Sequence, residues 1–330
     1  MLTVSVVIAT KDRAEQLRTI CLPSLAGQHS APQFEVIVWD ASENDKSKRV
    51  VEGFVASHDG LTLRYFKAPR VGLSAQRNDA VTEAKGEIVF FIDDDSEVSP
   101  DGISTLAEMF AENRRIVGGC LPLDYRWPPE AELATAIKKT SGFGSWLAAV
   151  YSRVFEPSKR ATGYFPPIPP VRPGPISYLF GCDMAFRKCV FSTHRFEERL
   201  QRFSSYVMCD DLIFSRVLMR QGLELQVAEK GCVIHWAAPG GRVKFGFNSG
   251  RVEGYDAGLV WWVSVFPWAR WTVFPFVWAR LGGLSGALLP CLRWPWQFSR
   301  WKRVAGYLAG LWIFFWEEIV GLAPRDTQPG

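Results

Sequence analysis

The sequence predicts an α/β protein built on a doubly wound, mostly parallel sheet. The first observation is a set of short apolar runs, such as Val4–Ala9, Phe34–Asp40 and Ile88–Ile92, which are typical of strands buried on both faces. The second is that helical segments alternate with these runs at the spacing of βαβ units. The third is a change of composition near residue 240, after which the chain is basic and rich in tryptophan.

The individual elements follow from the same patterns, taken in chain order. Strands are predicted at Val4–Ala9, Phe34–Asp40, Leu63–Phe66, Ile88–Ile92 and Ile116–Cys120. Helices are predicted at Ala14–Leu25, Lys46–Ala56 and Ser74–Ala84, and from Ser99 to Glu112, where Ser99 and Pro100 suit an N-cap and a first helical position. Further along, we expect ordered chain at Ser177–Arg187, a helix at Asp210–Gln221, and strands at Glu224–Ala228 and Cys232–Trp236.

Residues 121–177 interrupt this alternation. Ten of the 21 prolines lie between Pro122 and Pro175, which favours a long excursion near the active-site mouth over core structure. We therefore predict two domains, an α/β domain over 1–240 that carries this Pro-rich insertion and a helical region over 241–330.

The strand Ile88–Ile92 runs directly into three aspartates, Asp93, Asp94 and Asp95. Ligands of open α/β sheets bind beyond the carboxyl ends of the strands, which is where these carboxylates emerge. Adjacent carboxylates repel one another, and a hard divalent cation shared with substrate phosphates would relieve that repulsion. A solvated acidic turn is the alternative.

The C-terminal region has the composition of a bilayer interface. Residues 241–330 contain ten Lys and Arg against five Asp and Glu, and eleven of the fourteen tryptophans lie at or after Trp236. Arginines and prolines interrupt its apolar runs, so interfacial or re-entrant helices are expected, and a soluble helical subdomain or dimer interface is the alternative. The seven cysteines form no C-x-x-C pair and indicate reduced thiols in the cytosol. No nucleic-acid partner is expected.

Five segments, in order, resemble family 2 glycosyltransferases, which use nucleotide sugars and adopt the GT-A fold. The segments are VSVVIATKDR, VIVWDASENDKS, VGLSAQRNDAVTEAKGEIVFFIDDD, GCDMAFRK, and CDDLIFSRVLMRQG followed by VIHW. They cover roughly residues 3–236. The resemblance does not extend to the helical region.

The resemblance implies a role for each matching residue. The nucleotide-sugar pocket would contain Ala9, Thr10, Arg13, Asp40, Arg77, Asp93 and Asp94, with Arg13 or Arg77 neutralising the pyrophosphate. Asp93, Asp94 and Asp95 match the DxD element, so Asp93 and Asp95, with His235, would hold Mn²⁺ or Mg²⁺. Asp211 matches the catalytic base, and Gly181, Asp183 and Asp210 would lie on the acceptor and sugar side.

The function implied by the resemblance is inverting, metal-dependent glycosyl transfer. The donor would be a nucleoside-diphosphate sugar and the acceptor a lipid-linked molecule or a glycan, in surface polysaccharide assembly on the cytosolic membrane face. Two alternatives stay open. One is a polyprenyl-phosphate sugar synthase, and the other is a membrane-docked pseudoenzyme that scaffolds a pathway.

Overall fold

The computed structural model describes residues 2–29, 31–58, 60–126, 142–162, 171–236 and 245–321, with the backbone alone for 142–148. The predicted fold class is confirmed, because a mostly parallel sheet with flanking helices is followed by a helical region. The chain divides into two compact units. Unit 1 comprises Met1–Ala134, Pro169–Gln201 and Asp210–Gly240, and unit 2 comprises Thr135–Ile168, Arg202–Cys209 and Gly241–Gly330.

The predicted division at residue 240 stays a prediction. Part of the predicted Pro-rich insertion, residues 127–141 and 163–170, lies outside the described residues.

Eleven strands are described, all of them in unit 1. In chain order they are β1 (Val4–Thr10), β2 (Phe34–Asp40), β3 (Thr62–Lys67), β4 (Ile88–Ile92), β5 (Ser96–Val98), β6 (Ile116–Cys120), β7 (Leu123–Tyr125), β8 (Gly174–Pro175), β9 (Asp183–Arg187), β10 (Glu224–Val227) and β11 (Val233–His235). Eight of them form one sheet in the order β3-β2-β1-β4-β9-β6-β10-β8.

The central strands of this sheet are buried as the apolar runs predicted. All five residues of β4 are at most 2% exposed, and β1 pairs in parallel with both β2 and β4. Full burial of each large apolar side chain contributes about 1.5–3 kcal/mol, so this core fixes the register of the strands that lead to the site. β9 runs antiparallel between β4 and β6, and Asp183 pairs with Ile92.

The remaining three strands form a small second sheet in the order β5-β11-β7. In this sheet His235 pairs with Ser96 of β5 and with Tyr125 of β7. A strand near residues 232–236 was predicted, but its partners were not. Because Ser96 directly follows the three aspartates, this pairing brings His235 beside them.

The described helices of unit 1 match the predicted ones to within a few residues, whereas the helix Gly142–Thr162 of unit 2 was not predicted. α1 is a continuous helical stretch made of Ala14–Gln16, the π-helical turn Leu17–Cys21 and Leu22–Ala26. The others in unit 1 are α2 (Lys46–Ser57), α3 (Leu73–Glu83), α4 (Gly102–Glu112) and α6 (Asp210–Arg220). In unit 2 they are α5 (Gly142–Thr162), α7 (Phe247–Ser264), α8 (Val273–Arg293) and α9 (Phe298–Phe314).

In unit 2, helices α7 and α9 pack at backbone distance through glycines. A Cβ added at Gly250 or Gly254 would meet the backbone of α9, and one added at Gly306 or Gly310 would meet the backbone of α7. Such small-residue contacts let two helices approach closely along their length. A tryptophan of α7, Trp261, is 1% exposed and donates a hydrogen bond to Thr272 at 2.9 Å.

The sequence suggested that arginines and prolines interrupt the apolar runs of this region, but the α8 segment is continuous. Arg270–Arg293 is one helix, long and apolar enough to cross a membrane by length and composition. Pro275 lies in the first turn of α8, where a proline is tolerated. Pro290 lies in the last turn, so the backbone hydrogen bond that it removes is close to the helix end. Arg280 is 8% exposed and lies 3.4 Å from the Tyr307 hydroxyl, so its charge is turned toward the protein.

Candidate active site

The predicted site residues of unit 1 meet at one edge of the main sheet. β1 ends at Thr10, β2 ends at Asp40, and β4 ends one residue before Asp93. Parallel strands present their carboxyl ends on the same edge. Because β9 is antiparallel, it is its first residue, Asp183, that lies on this edge.

Two of the three consecutive aspartates and one distant histidine form a compact cluster. The Nε2 atom of His235 lies 3.2 Å from an oxygen of Asp95 and 3.6 Å from an oxygen of Asp93. All three ligand atoms lie within 4.8 Å of one another. Burial lowers the pKa of His235, but the nearby carboxylates of Asp93 and Asp95 outweigh this and raise the pKa to about 9.

The donor set of this cluster fits a divalent cation. Two carboxylates and an imidazole suit Mn²⁺, and hard oxygen ligands also suit Mg²⁺. Asp93 is 34% exposed at its side chain, so the cluster opens to solvent on that side. Asp95 and His235 are more deeply buried, at 5% and 14%.

The middle aspartate of the run, Asp94, has different partners. Asp94 accepts a hydrogen bond from the hydroxyl of Thr10 at 2.6 Å and pairs with Nε of Arg13 at 2.6 Å. Burial raises the pKa of Asp94 to about 7, although Arg13 and Thr10 act in the opposite direction. Arg13 also pairs with Asp95, so this arginine ties the end of β1 to the end of β4.

Arg77, on α3, is almost fully buried and links the acidic cluster to α6. It pairs with Asp210 at 2.6 Å and with Asp93 at 3.5 Å, and it donates to the carbonyl of Gly181 at 2.8 Å. The side chains of Arg77 and Asp210 are each 3% exposed. The structure therefore brings Arg77 and Asp210 together as a buried ion pair.

Asp211, at the start of α6, lies next to this ion pair. It accepts hydrogen bonds from the backbone N–H of Gly181 at 2.8 Å and of Leu212 at 2.7 Å. Desolvation raises the pKa of Asp211 to about 7, and the charge of Asp210 adds to this, while Arg77 lowers it. A carboxylate with a pKa near neutrality is suited to accept a proton.

Asp40 is fully buried and already satisfied by protein groups. It accepts from the hydroxyl of Tyr65 at 2.9 Å, from the backbone N–H of Ser42 at 2.9 Å, and from the Ser42 hydroxyl. In the same region Gln76 donates hydrogen bonds to the carbonyls of Thr10 and Trp39, each at 3.1 Å. These two bonds hold the end of β1 against the end of β2.

The remaining predicted residues also lie on this edge. Ala9 is half-buried and pairs with Trp39 one residue before the strand end. Gly181 lies between Arg77 and Asp211 as described. Asp183 is fully buried and accepts a hydrogen bond from the Leu121 backbone at 3.2 Å through one oxygen, while its other oxygen has no partner among the described residues. Burial raises the pKa of Asp183 well above its usual range.

Sequence reasoning missed the residues that hold the predicted ones in place. Ser42, Tyr65 and Gln76 belong to this set. Ser42 lies two residues after Asp40, in the spacing of an Asx turn, and that spacing was the available signal. Tyr65 and Gln76 gave none, because their contacts span 25 residues or more.

Comparison with known proteins gives relatives among glycosyltransferases. The chain is 29% identical over 118 residues to a GalNAc(5)-diNAcBac-PP-undecaprenol beta-1,3-glucosyltransferase of Campylobacter jejuni, covering 36% of this chain and 38% of that protein. It is 27% identical over 112 residues to a poly(ribitol-phosphate) beta-glucosyltransferase of Bacillus spizizenii, covering 34% and 18%. The matches thus span well under half the length of these relatives.

Two solved structures share the GT-A fold with this chain at 16% identity. A mannosyltransferase from Pyrobaculum calidifontis in complex with GDP-Man and Mn²⁺ has a TM-score of 0.51 and covers 96% of this chain and 87% of its own. GalNAc-T7 with UDP, GalNAc and Mn²⁺ has a TM-score of 0.50 and covers 77% and 48%. The family model named Glycosyl transferase family 2 matches residues 5–193, more than half of the chain, and the protein therefore belongs to the family 2 glycosyltransferases.

Proposed function

We propose that this glycosyltransferase transfers a sugar, with inversion, from a nucleoside-diphosphate sugar to a lipid-linked or polymeric glycan acceptor. The observation that carries the proposal is the cluster of Asp93, Asp95 and His235, which Arg77 links through Asp93 to Asp210, the neighbour of Asp211. The two solved neighbours bound to nucleotides and Mn²⁺ support a donor of this type.

Asp93, Asp95 and His235 would hold the divalent metal ion in this proposal. The ion would supply positive charge to stabilise the departing diphosphate. Arg13 lies beside the cluster and is 21% exposed, so it can add a guanidinium to the same phosphates.

Asp211 would accept the proton of the acceptor hydroxyl as that oxygen attacks the anomeric carbon. Its two backbone N–H donors hold the carboxylate in one orientation, and its raised pKa makes it a stronger base than an exposed aspartate. A single displacement assisted by one base inverts the configuration of the sugar. Gly181 and Asp210 would shape the sugar and acceptor side from the same loop and helix.

The acceptor class is supported by the named relatives, one of which acts on an undecaprenol-linked sugar and the other on poly(ribitol phosphate). A lipid-linked acceptor would place the enzyme at the cytosolic face of a membrane. Work on surface polysaccharide or another glycoconjugate fits such an acceptor.

The test is a comparison of two site variants with a surface control in the purified full-length protein. Thermal shifts with a panel of nucleoside-diphosphate sugars and Mn²⁺ identify the donor, since a bound ligand raises stability by mass action. Asp95→Ala should lose the Mn²⁺-dependent part of the shift together with transfer. Asp211→Asn should keep the shift but lose roughly 10²–10⁴-fold in rate.

The control is Asp124→Asn, which removes a carboxylate that is 52% exposed on β7 and should leave both readouts unchanged. Full turnover of Asp95→Ala in chelator would refute the metal assignment. Full turnover of Asp211→Asn would move the base to another residue. Absence of donor hydrolysis and transfer with every sugar would favour the pseudoenzyme.

A further inference from the structure

Helix α9 carries a continuous apolar stripe that faces solvent. The stripe continues one turn beyond the helix and its residues recur every three or four positions, which places them on one helical face. They are Trp301, Ala305, Leu308, Trp312, Phe315 and Ile319, and all are exposed, Trp312 most at 62%. We call this set the α9 stripe.

Helix α8, in the same unit, carries a second stripe. Phe274 is 79% exposed, and exposed apolar residues recur every three or four positions from Trp271 to Leu281 and again at Leu289 and Leu292. Its members are Trp271, Phe274, Trp278, Leu281, Leu289 and Leu292, all exposed. We call this set the α8 stripe. Two such rows of large apolar side chains are far more than the scattered ones normal on a soluble surface.

The charges around the two stripes are mainly positive; the exceptions within their span are Glu317 and Glu318, which accept hydrogen bonds from Arg202 and Tyr255. Residues 265–316 contain six Lys and Arg and no Asp or Glu. Arg270, Arg293 and Lys302 are exposed at or near the ends of the two helices. Cations are attracted to an anionic headgroup layer. Indoles favour the same layer, because the ring is buried there while the N–H stays hydrated.

The packing of α8 argues that it lies along a bilayer and does not cross it. Helix α5 packs against the middle of α8, with Phe155 against Gly282 and the Trp278 indole donating to the Val154 carbonyl at 2.9 Å. Glu156 and Arg160 of α5 are exposed on that helix. If α8 crossed, these charges would enter the hydrocarbon, where ionised side chains are costly.

We propose that α8 and α9 lie in the plane of an anionic lipid bilayer, with the α8 and α9 stripes buried in its interface. This deepens the proposed function and rests on it in one respect, that the acceptor is held by a membrane. A bilayer accounts for both features at once, because it accepts apolar side chains and attracts the cations that flank them.

The test is flotation of the full-length protein with vesicles of phosphatidylcholine alone and of phosphatidylcholine mixed with phosphatidylglycerol. The wild-type protein should bind the mixed vesicles more strongly. The double variant Leu308→Glu with Trp312→Glu should weaken binding about tenfold or more, since it puts charge in the middle of the α9 stripe. Leu281→Glu should act in the same direction through the α8 stripe.

The matched control is Val55→Glu, which makes the same kind of change at a 45% exposed apolar position on α2 of unit 1. It should leave flotation unchanged. The nucleotide-sugar thermal shift is measured on every variant. Loss of flotation with an intact shift supports the stripes, whereas retained flotation without any donor shift overturns the proposed function and leaves the docking surface standing.

Two further outcomes would overturn the docking surface itself. Unchanged flotation of the glutamate variants, or self-association of the wild-type protein without vesicle binding, would show that the stripes have another occupant. Tryptophan quenching by brominated lipids decides the orientation. Bromine near the headgroups should quench more than bromine near the chain ends, and the reverse order would show that α8 crosses.

Discussion

Replacement of Arg77 by glutamine should be one of the most damaging single polar substitutions in unit 1. Arg77 and Asp210 are each 3% exposed and 2.6 Å apart, and Asp93 lies on the other side of the guanidinium. Removing one partner of a buried ion pair leaves uncompensated charge and costs about 3–5 kcal/mol. For a unit of this size that corresponds to a fall in melting temperature on the order of 10 °C.

Arg70 provides the matched control. It also pairs with two carboxylates, Asp79 at 2.7 Å and Glu198, but its side chain is 47% exposed. Exposed ion pairs contribute about 0–1 kcal/mol, so Arg70→Gln should shift the melting temperature by no more than a few degrees. The comparison separates the effect of burial from the loss of an arginine.

The assay is thermal and urea unfolding of the two variants, with Asp210→Asn added to each background. In the Arg77→Gln background, Asp210→Asn removes the uncompensated charge, so the double variant should be more stable than the sum of the single effects by about 1 kcal/mol or more. Donor affinity is measured in parallel. An unchanged melting temperature with a large loss of donor affinity would refute the structural role and favour direct contact between Arg77 and the pyrophosphate.

The remaining predictions concern pH dependence and helix packing. Because the pKa of Asp211 is raised to about 7 and the base acts when ionised, kcat/KM should fall about tenfold per pH unit below that value, and Asp211→Asn should abolish this limb; a rate that is flat between pH 5 and 8 would contradict the assignment. Gly254→Ala should destabilise unit 2 by about 1–3 kcal/mol in urea unfolding, because the added Cβ meets the backbone of Tyr307. Gly53→Ala in α2, where an added Cβ meets no described residue within 4 Å, should be neutral or stabilising by up to about 1 kcal/mol, and equal effects of the two would refute the packing argument.

The strands were predictable because a strand that is buried on both faces is apolar at nearly every position. Ile88–Ile92 is apolar throughout and fully buried, and its observed bounds are the predicted ones. Asp93 and Asp95 could be placed at the sheet edge for the same reason. The pairing of β11 with β5 could not, because it joins segments about 140 residues apart whose apolar patterns carry no register.

The partners of the charged residues could also not be predicted from local sequence patterns. Arg77 was expected at the pyrophosphate, yet its ion pair with Asp210 spans 133 residues and has no sequence signature. The sequence likewise placed Asp40 at a strand end but gave no sign of the hydrogen bond that it accepts from the Tyr65 hydroxyl. The helix Gly142–Thr162 forms within a stretch whose prolines favoured irregular chain, and it includes Pro157 in its C-terminal half.

The antiparallel direction of β9 has a consequence for how enzymes of this shape can diversify. β6 ends at the carboxyl edge and β9 begins there, so the chain between Cys120 and Asp183 departs from and returns to the same side of the sheet. Lengthening this excursion between β7 and β8 costs only about 0.6 kcal/mol per doubling, and it leaves the pairing of β7 with β11 and of β8 with β10 in place. The chain between β7 and β8 can therefore vary in length without moving the strand ends that carry Asp93 and Asp183.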